Sequence, residues 1–177
     1  MARLPYARID RPEIQALVGE ITAQRGEVLH LYQMLLHSPP VTEGWLRFMT
    51  AVRQQCVLPG NLRELIIIRI ALLNHAPYEA EQHRPIAIRE GCSPDQIDAL
   101  DDWHRRPALF DERERAVLAL TDRMTRDVEV DEPTWQAVRV HWAEREIVEL
   151  VVTIASYNMV SRVLAALDIH SDDPRPA

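Results

Sequence analysis

Three side chains capable of acid–base chemistry lie in one short segment of the chain. Glu64 lies in a strongly apolar stretch, and Glu79 and His83 follow at positions four residues apart. On a helix this spacing places Glu79 and His83 one turn apart on the same face. A histidine flanked by two carboxylates can transfer protons, because one carboxylate orients the imidazole ring while the other relays a proton. We therefore predict Glu64, Glu79 and His83 as catalytic residues.

The same residues also have structural interpretations, which their spacing alone leaves open. Glu64 has the spacing to close an N-terminal capping box with Asn61. Glu79 follows Pro77 closely enough to interact favourably with the dipole of a new helix. His83 could be a partly buried surface histidine.

Four further residues are candidates for substrate binding. His75 and Tyr78 flank the junction between two predicted helices, and Tyr157 and Asn158 form a polar pair in the otherwise apolar final helix. Each also has a packing explanation: His75 as a partner of a helix C-terminus, Tyr78 as a core residue, and the polar pair as hydrogen-bonding groups between helices or subunits.

The elements that must position these residues are predicted to be helices, because hairpin signals are missing and apolar residues recur at helical spacing. The stretch from Leu62 to His75 is apolar nearly all round, which predicts a buried central helix. A tight connection then leads into a helix from Pro77 to about Glu90, so the two helices should lie side by side. The other predicted helices cover 11–24, 29–36, 42–55, 131–142 and 145–167, with further starts at Ser93 and Asp111.

An internal two-fold repeat is a hypothesis that the sequence raises. Arg63-Glu64-Leu65-Ile66 and Arg145-Glu146-Ile147-Val148 both open long apolar stretches. In that register Ser161 takes the place of Glu79 and Ala165 that of His83, so the second half would keep the packing without the chemistry.

Length and composition bound the remaining possibilities. The chain has 177 residues and a formal net charge of −7, with no basic patch, so we expect one domain (1–169) and no nucleic-acid partner. All 20 basic residues are arginine, which excludes Schiff-base chemistry on a lysine. The two cysteines lack metal or C-x-x-C spacing, the N-terminus lacks the apolar core of a signal peptide, and no apolar run is long enough to cross a bilayer. We therefore expect a cytoplasmic protein without membrane partners, and a disordered tail at 170–177.

The segment "LRELIIIRIALLNHAPYEAEQHRPIAIREG" (62–91) resembles the signature region of the carboxymuconolactone decarboxylase/AhpD-like family. Peroxidase members of that family have a Glu, then eleven intervening residues, then a C-x-x-C, then a His four residues beyond the second Cys. Glu64 and His83 match that spacing without gaps. The flanking segments 37–45 and 110–167 also resemble the family, so the resemblance implies an AhpD-like helical bundle that assembles as a dimer, trimer or hexamer.

The departure from the family pattern falls on the two thiols. Ala76 and Glu79 occupy the cysteine positions, and Cys56 and Cys92 lie outside the motif. Thiol peroxidase chemistry by the family route is therefore excluded on residue identity. What remains resembles the decarboxylase branch, which implies acid–base chemistry with no metal and no organic cofactor.

Three hypotheses for function follow. The first is a cofactor-free decarboxylase, lyase or isomerase acting on a small organic acid or lactone. The second is a non-catalytic ligand-binding or structural homo-oligomer on the same scaffold. The third is a thiol oxidoreductase that uses Cys56 or Cys92 with a partner thiol. A metal site built from Glu64, Glu79 and His83 is a weaker idea, because its ligands are spread over two helices.

Overall fold

The computed structural model describes residues 1–176, and within them the chain is helical and contains no strand. The α-helices are α1 Gln15–Arg25, α2 His30–Leu35, α3 Pro39–Thr50, α4 Gly60–Leu73, α5 Pro77–Arg89, α6 Pro94–Ala99, α7 Glu112–Arg126, α8 Glu132–Arg139 and α9 Glu144–Leu167. Short 3-10 segments cover Pro12–Ile14, Leu100–Arg105 and Pro107–Leu109, and a π-helical turn, Ala51–Gln55, extends α3. The all-α, AhpD-like fold class predicted from the sequence is confirmed.

The residues form two compact units, Met1–Cys56 with the residues from Leu164 onward, and Val57–Val163. The first unit contains α1 to α3 and has its own apolar core, formed by Ala7, Ile14, Leu17, Ile21, Tyr32, Leu36 and Leu46. In the same unit Tyr6 donates a 2.7 Å hydrogen bond to Asp173, within the tail that the sequence predicts to be disordered. The single domain at 1–169 stays a prediction.

The second unit is organised around α4, which packs against α5, α7 and the segment Leu100–Arg105. Neighbouring elements enclose this helix, and most of its residues are buried. A helix that is apolar all round is suited to such a position. In the core of this unit, Leu65 and Ile68 of α4 cluster with residues of the neighbouring elements: Ala87, Cys92, Ile97, Leu100, Trp103, Phe110 and Leu118. A buried polar residue on α4 therefore needs a partner from another helix.

The connection from α4 to α5 is a Schellman turn with a histidine at its left-handed position. His75 has φ +52°, its N–H donates to Leu72 O at 3.3 Å, and the N–H of Ala76 donates to Ala71 O at 2.8 Å. Pro77 follows as the first residue of α5, where its missing N–H costs nothing. The turn brings α5 back along α4, as the sequence predicts.

Several helix starts differ from the sequence-based expectation. α3 begins at Pro39 rather than Thr42, because proline is well suited to the first turn of a helix. The capping box at Ser93 is present, but α4 has no side-chain cap, and the Glu64 carboxylate points elsewhere. The segment aligned with α4 and α5 in the second half runs as one continuous helix, α9, so the internal repeat stays a prediction.

Although its uninterrupted apolar runs are short, α9 is long and apolar enough to span a bilayer by length and mean composition. An 18-residue window of this helix has a mean hydropathy of 1.6. Half of that window is buried inside the protein, which is the behaviour of a core helix. Polar side chains of α9 also form hydrogen bonds to α5 and α7.

Candidate active site

Glu64 and His83 form a direct pair in the interior of the second unit. The Glu64 Oε2 atom lies 2.6 Å from His83 Nδ1, and both side chains are buried. This contact favours the tautomer in which Nδ1 carries the proton, because an ionised carboxylate can only accept a hydrogen bond. In that tautomer Nε2 is the ring nitrogen left for proton exchange. The structure brings together two of the three residues predicted as catalytic.

Arg63 supplies the positive charge beside the buried Glu64 carboxylate. Its Nε donates to Glu64 Oε1 at 3.1 Å, while its outer nitrogen lies 3.7 Å from Glu90. A buried carboxylate without a cation or hydrogen-bond donors would be expensive to desolvate. Both Glu64 oxygens are thus engaged by named donors, and the carboxylate is held in a fixed orientation towards His83.

Glu79, the third predicted catalytic residue, is buried in a different environment. It is only 2 % exposed, and the hydroxyl group of Ser161 donates a hydrogen bond to its Oε2 atom. Burial raises the pKa of Glu79 from 4.5 to about 8, and the Ser161 hydrogen bond opposes that shift. Glu79 is therefore mostly a neutral carboxylic acid at pH 7. Its Oε1 atom is buried and has no hydrogen-bond partner in the structure.

Two tyrosines predicted to bind substrate are buried near these groups. The ring of Tyr157 meets the His83 ring edge to face, with centroids 5.4 Å apart and planes at 87°. Such an arrangement restricts the imidazole to one orientation. Tyr78, next to Glu79 on α5, is also buried. Their roles in substrate binding stay predictions.

The other two predicted substrate-binding residues have different surroundings. The Asn158 side chain donates to Thr125 and to Ile154 O, and accepts from Asn74 and Arg162, all at 3.0 Å. These bonds use the capacity of its amide group and tie α9 to α7 and to the end of α4. His75 is exposed at the Schellman turn. For both residues a substrate-binding role stays a prediction.

Cys92 is poorly suited to thiol chemistry. Its Sγ donates to Asn61 O at 3.3 Å, and the residue is buried. Burial, together with the carboxylates of Glu114, Glu64 and Glu90, raises the pKa of the thiol to about 12. The thiolate that would attack a substrate is therefore scarce at neutral pH.

Within residues 1–176 no cluster of three histidine, cysteine or carboxylate side chains is arranged to hold a metal ion. One groove of about 290 Å³ lies on the second unit, and none of the predicted site residues lines it. Its walls are Ile68, Leu72, Ala80, Glu81, Arg84, Ile97, Asp98 and Asp101.

Two residues of the site, Arg63 and Ser161, were not predicted as functional from the sequence. Arg63 immediately precedes Glu64, but nothing in the sequence tells that its guanidinium turns inward. Ser161 is far away in sequence, and the only signal for it is its alignment with Glu79 in the proposed repeat. Sequence spacing carries little information about contacts between distant helices.

The model of the carboxymuconolactone decarboxylase family matches residues 39–123 of this chain, including all of α4 and α5. Structures of AhpD-like proteins share the same fold. The chain therefore resembles the carboxymuconolactone decarboxylase/AhpD-like family, whose model covers 85 of its 177 residues.

The individual proteins that this chain resembles have different descriptions. The chain is 26% identical over 121 residues to the uncharacterized protein YdfG of Bacillus subtilis (strain 168), which covers 67% of this chain and 82% of that protein. It is similar in fold to an AhpD-core, peroxidase-related protein from Ralstonia eutropha JMP134, with a TM-score of 0.82, 19% identity and coverage of 97% and 93% of the two chains. A cysteine-to-alanine variant of the debrominase Bmp8, in complex with 2,3,4-tribromopyrrole, gives a TM-score of 0.79 at 18% identity, covering 95% and 90%.

Proposed function

We propose that this protein is a carboxymuconolactone decarboxylase-like, cofactor-free acid/base enzyme. It would be a decarboxylase, another lyase or an isomerase that acts on a small organic acid or lactone. The observation that carries the proposal is the buried contact of 2.6 Å between Glu64 and His83. A carboxylate that fixes the tautomer and orientation of an imidazole is the arrangement that prepares a histidine for proton transfer.

In a decarboxylation, His83 would deliver the proton that the substrate carbon requires. The bond between that carbon and the carboxylate breaks, carbon dioxide leaves, and the electron pair remains on the substrate as an enolate or dienolate. The protonated ring then gives its Nε2 proton to the carbon. In an isomerisation the neutral ring would take a proton from one carbon and return it to another.

Glu79 suits the role of an acid rather than a second base. Because burial raises its pKa to about 8, its carboxyl group keeps its proton at pH 7. A neutral carboxylic acid can donate a hydrogen bond to the oxygen on which negative charge develops in an enolate, and such stabilisation is commonly a large part of catalysis. Glu64 and Glu79 are then two carboxyl groups with different roles set by their environments.

The cysteine chemistry offers less support for a thiol enzyme. Ala76 and Glu79 replace the family thiols, and the raised pKa of Cys92 keeps its thiol protonated. The small ring compound bound by Bmp8 favours a small, planar substrate for this chain as well. We further propose that the enzyme acts in the cytoplasm as a homo-oligomer, in the breakdown of aromatic compounds.

The test is a screen of small organic acids and lactones for carbon dioxide release and for proton exchange in heavy water. Once a substrate is found, His83→Gln is expected to lower turnover by about 10²- to 10⁴-fold, the range for removal of a general acid or base. Glu64→Gln should also lower turnover, because a neutral amide accepts a weaker hydrogen bond from the imidazole ring than a carboxylate does. His141→Gln, at a half-buried histidine outside the site, is the matched control and should keep wild-type turnover. Full turnover in His83→Gln would reject the proposal.

A further inference from the structure

The Glu79 carboxyl group has one oxygen in use and one buried without a partner. Ser161 occupies Oε2, whereas Oε1 has no hydrogen-bond partner in the structure although the residue is only 2 % exposed. Buried polar atoms are nearly always satisfied, so an unsatisfied one inside a protein calls for an explanation. Among the described residues Glu79 forms no ion pair with an arginine, so no cation there favours the ionised form of its carboxyl group.

We propose that Glu79 and Ser161 form an oxygen-binding subsite, in which the Glu79 carboxyl group donates a hydrogen bond from Oε1 to a carbonyl or carboxylate oxygen of the ligand, while Ser161 positions it. The subsite rests on the proposed function, which supplies the ligand class of small acids and lactones. It deepens that proposal by placing the donated hydrogen bond at Oε1, already in the bound ground state, and by adding Ser161 as a positioning residue.

The direction of each hydrogen bond follows from the chemistry of the pair. Ser161 donates to Oε2, so the proton of the neutral carboxyl group sits on Oε1, where it can only be given to an acceptor. A ligand with an sp² oxygen satisfies that donor, whereas a cation would be repelled by it. Glu79 lies one turn before His83 on α5, so a ligand held at Oε1 would lie close to the proton-transferring ring.

Other titratable or charged groups also lie on the helices around Glu79. They are His83 and Tyr78 on α5, Glu64 on α4, and Tyr157 and Arg162 on α9. A change in ligand affinity with pH is therefore informative only when it is compared with a variant that cannot titrate at position 79.

The test uses two probes that differ in the source of the oxygen: benzoate, an aromatic carboxylate, and phthalide, an aromatic lactone. Ligand-observed NMR measures the affinity of each probe between about pH 6 and pH 9. Because only the protonated carboxyl group donates, the affinity of the wild-type protein should fall about tenfold from pH 7 to pH 9. If only benzoate binds, the ligand oxygen at this subsite belongs to a carboxylate; if only phthalide binds, it belongs to a lactone.

Substitutions at the two residues separate this subsite from a structural role. In Glu79→Gln the amide still donates but cannot titrate, so probe binding should persist without that fall. Ser161→Ala removes a bond that lowers the pKa of Glu79, so the midpoint of the pH dependence should move upward, and Ser161→Thr should restore it. Glu81→Gln, at an exposed glutamate on the same helix, should behave like the wild type.

Two results would overturn the subsite. One is that neither probe binds, as expected if Oε1 holds only a water molecule. The other is that the pH dependence of probe binding survives unchanged in Glu79→Gln. Because that variant would still bind the probes, a loss of fold could not explain the result. His83→Gln should keep probe binding while losing turnover. If turnover depends on His83 but probe binding does not depend on Glu79, the subsite alone is rejected. If probe binding depends on Glu79 but turnover does not depend on His83, the proposed function alone is rejected.

Discussion

At the scale of single residues, the buried Glu79 carboxyl group should make the protein less stable as the pH rises. Burial raises its pKa from 4.5 to about 8 in the folded state. Between those values the unfolded chain has lost a proton that the folded chain retains, so the free energy of unfolding decreases with pH. The slope is at most about 1.4 kcal/mol per pH unit for one group. Above the folded-state pKa both states are ionised and this contribution to the slope vanishes.

Urea unfolding of the wild type and Glu79→Gln between about pH 5 and pH 9 measures this effect. Because glutamine does not titrate, the variant should gain stability relative to the wild type as the pH rises to about 8. Glu81→Gln provides the comparison for an exposed glutamate of the same helix and should track the wild type. Parallel curves for Glu79→Gln and the wild type would show that the carboxyl group is not protonated in the folded state.

Arg63 and Ser161 each contact one carboxyl group of the site, and they differ in charge. Arg63 places a full positive charge beside Glu64, whereas Ser161 offers Glu79 only a neutral hydroxyl group. A nearby cation favours the ionised form of a carboxylate, while burial without one favours the neutral form. The two carboxyl groups of the site therefore have distinct chemistry, although both are glutamates on adjacent helices.

At the scale of elements, a buried ion pair connects α4 to α7. Arg69 contacts both oxygens of Asp122, at 2.6 and 2.7 Å, and also donates to Leu100 O and Asp101 O. This arginine therefore has a structural role, since its donors are directed to α7 and to the 3-10 segment. The pair fixes the helix that carries Glu64.

Replacing Arg69 with methionine should destabilise the protein by about 3–5 kcal/mol, because it leaves Asp122 buried without its partner. The double variant Arg69→Met, Asp122→Leu should recover much of that loss, since it removes both charges. Urea unfolding at constant pH measures both. Arg123→Met breaks exposed pairs with Asp127 and Asp131 and should cost no more than about 1 kcal/mol. A loss in Arg69→Met as small as that would mean that the buried pair does not hold the helices together.

At the scale of the whole molecule, exposed apolar residues are consistent with self-association. Val140, after α8, and Val148, on α9, are 77 % and 61 % exposed. Contiguous exposed apolar surface is often covered in an assembly, whereas single exposed valines are ordinary, so these two residues only mark where the prediction can be tested. The homo-oligomer that the family resemblance implies stays a prediction.

Sedimentation velocity should give a mass greater than that of one chain, and Val148→Glu should shift the protein towards the monomer by placing a charge in the interface. Val128→Glu, at an exposed valine in the turn between α7 and α8, serves as the matched control. A wild-type protein that sediments as a monomer at micromolar concentration would contradict this prediction.

The sequence by itself determined the features that depend on local chemistry. Helical periodicity, the proline and glycine positions, and the all-round apolar character of α4 predicted an all-α fold with a buried central helix. The spacing of Glu64, Ala76, Glu79 and His83 predicted the family and excluded its thiol route. These inferences succeed because periodicity and residue identity are properties of a short stretch of chain.

Only the tertiary structure decided which groups meet and in what ionic state. Glu64 had the spacing of a capping residue, and its pairing with His83 depends on how α5 returns along α4. The contact of Ser161 with Glu79 joins residues 82 positions apart, and the protonation of Glu79 depends on burial by surrounding helices. Long-range packing sets the local dielectric and the hydrogen-bond partners, and these determine a pKa in a way that sequence spacing does not.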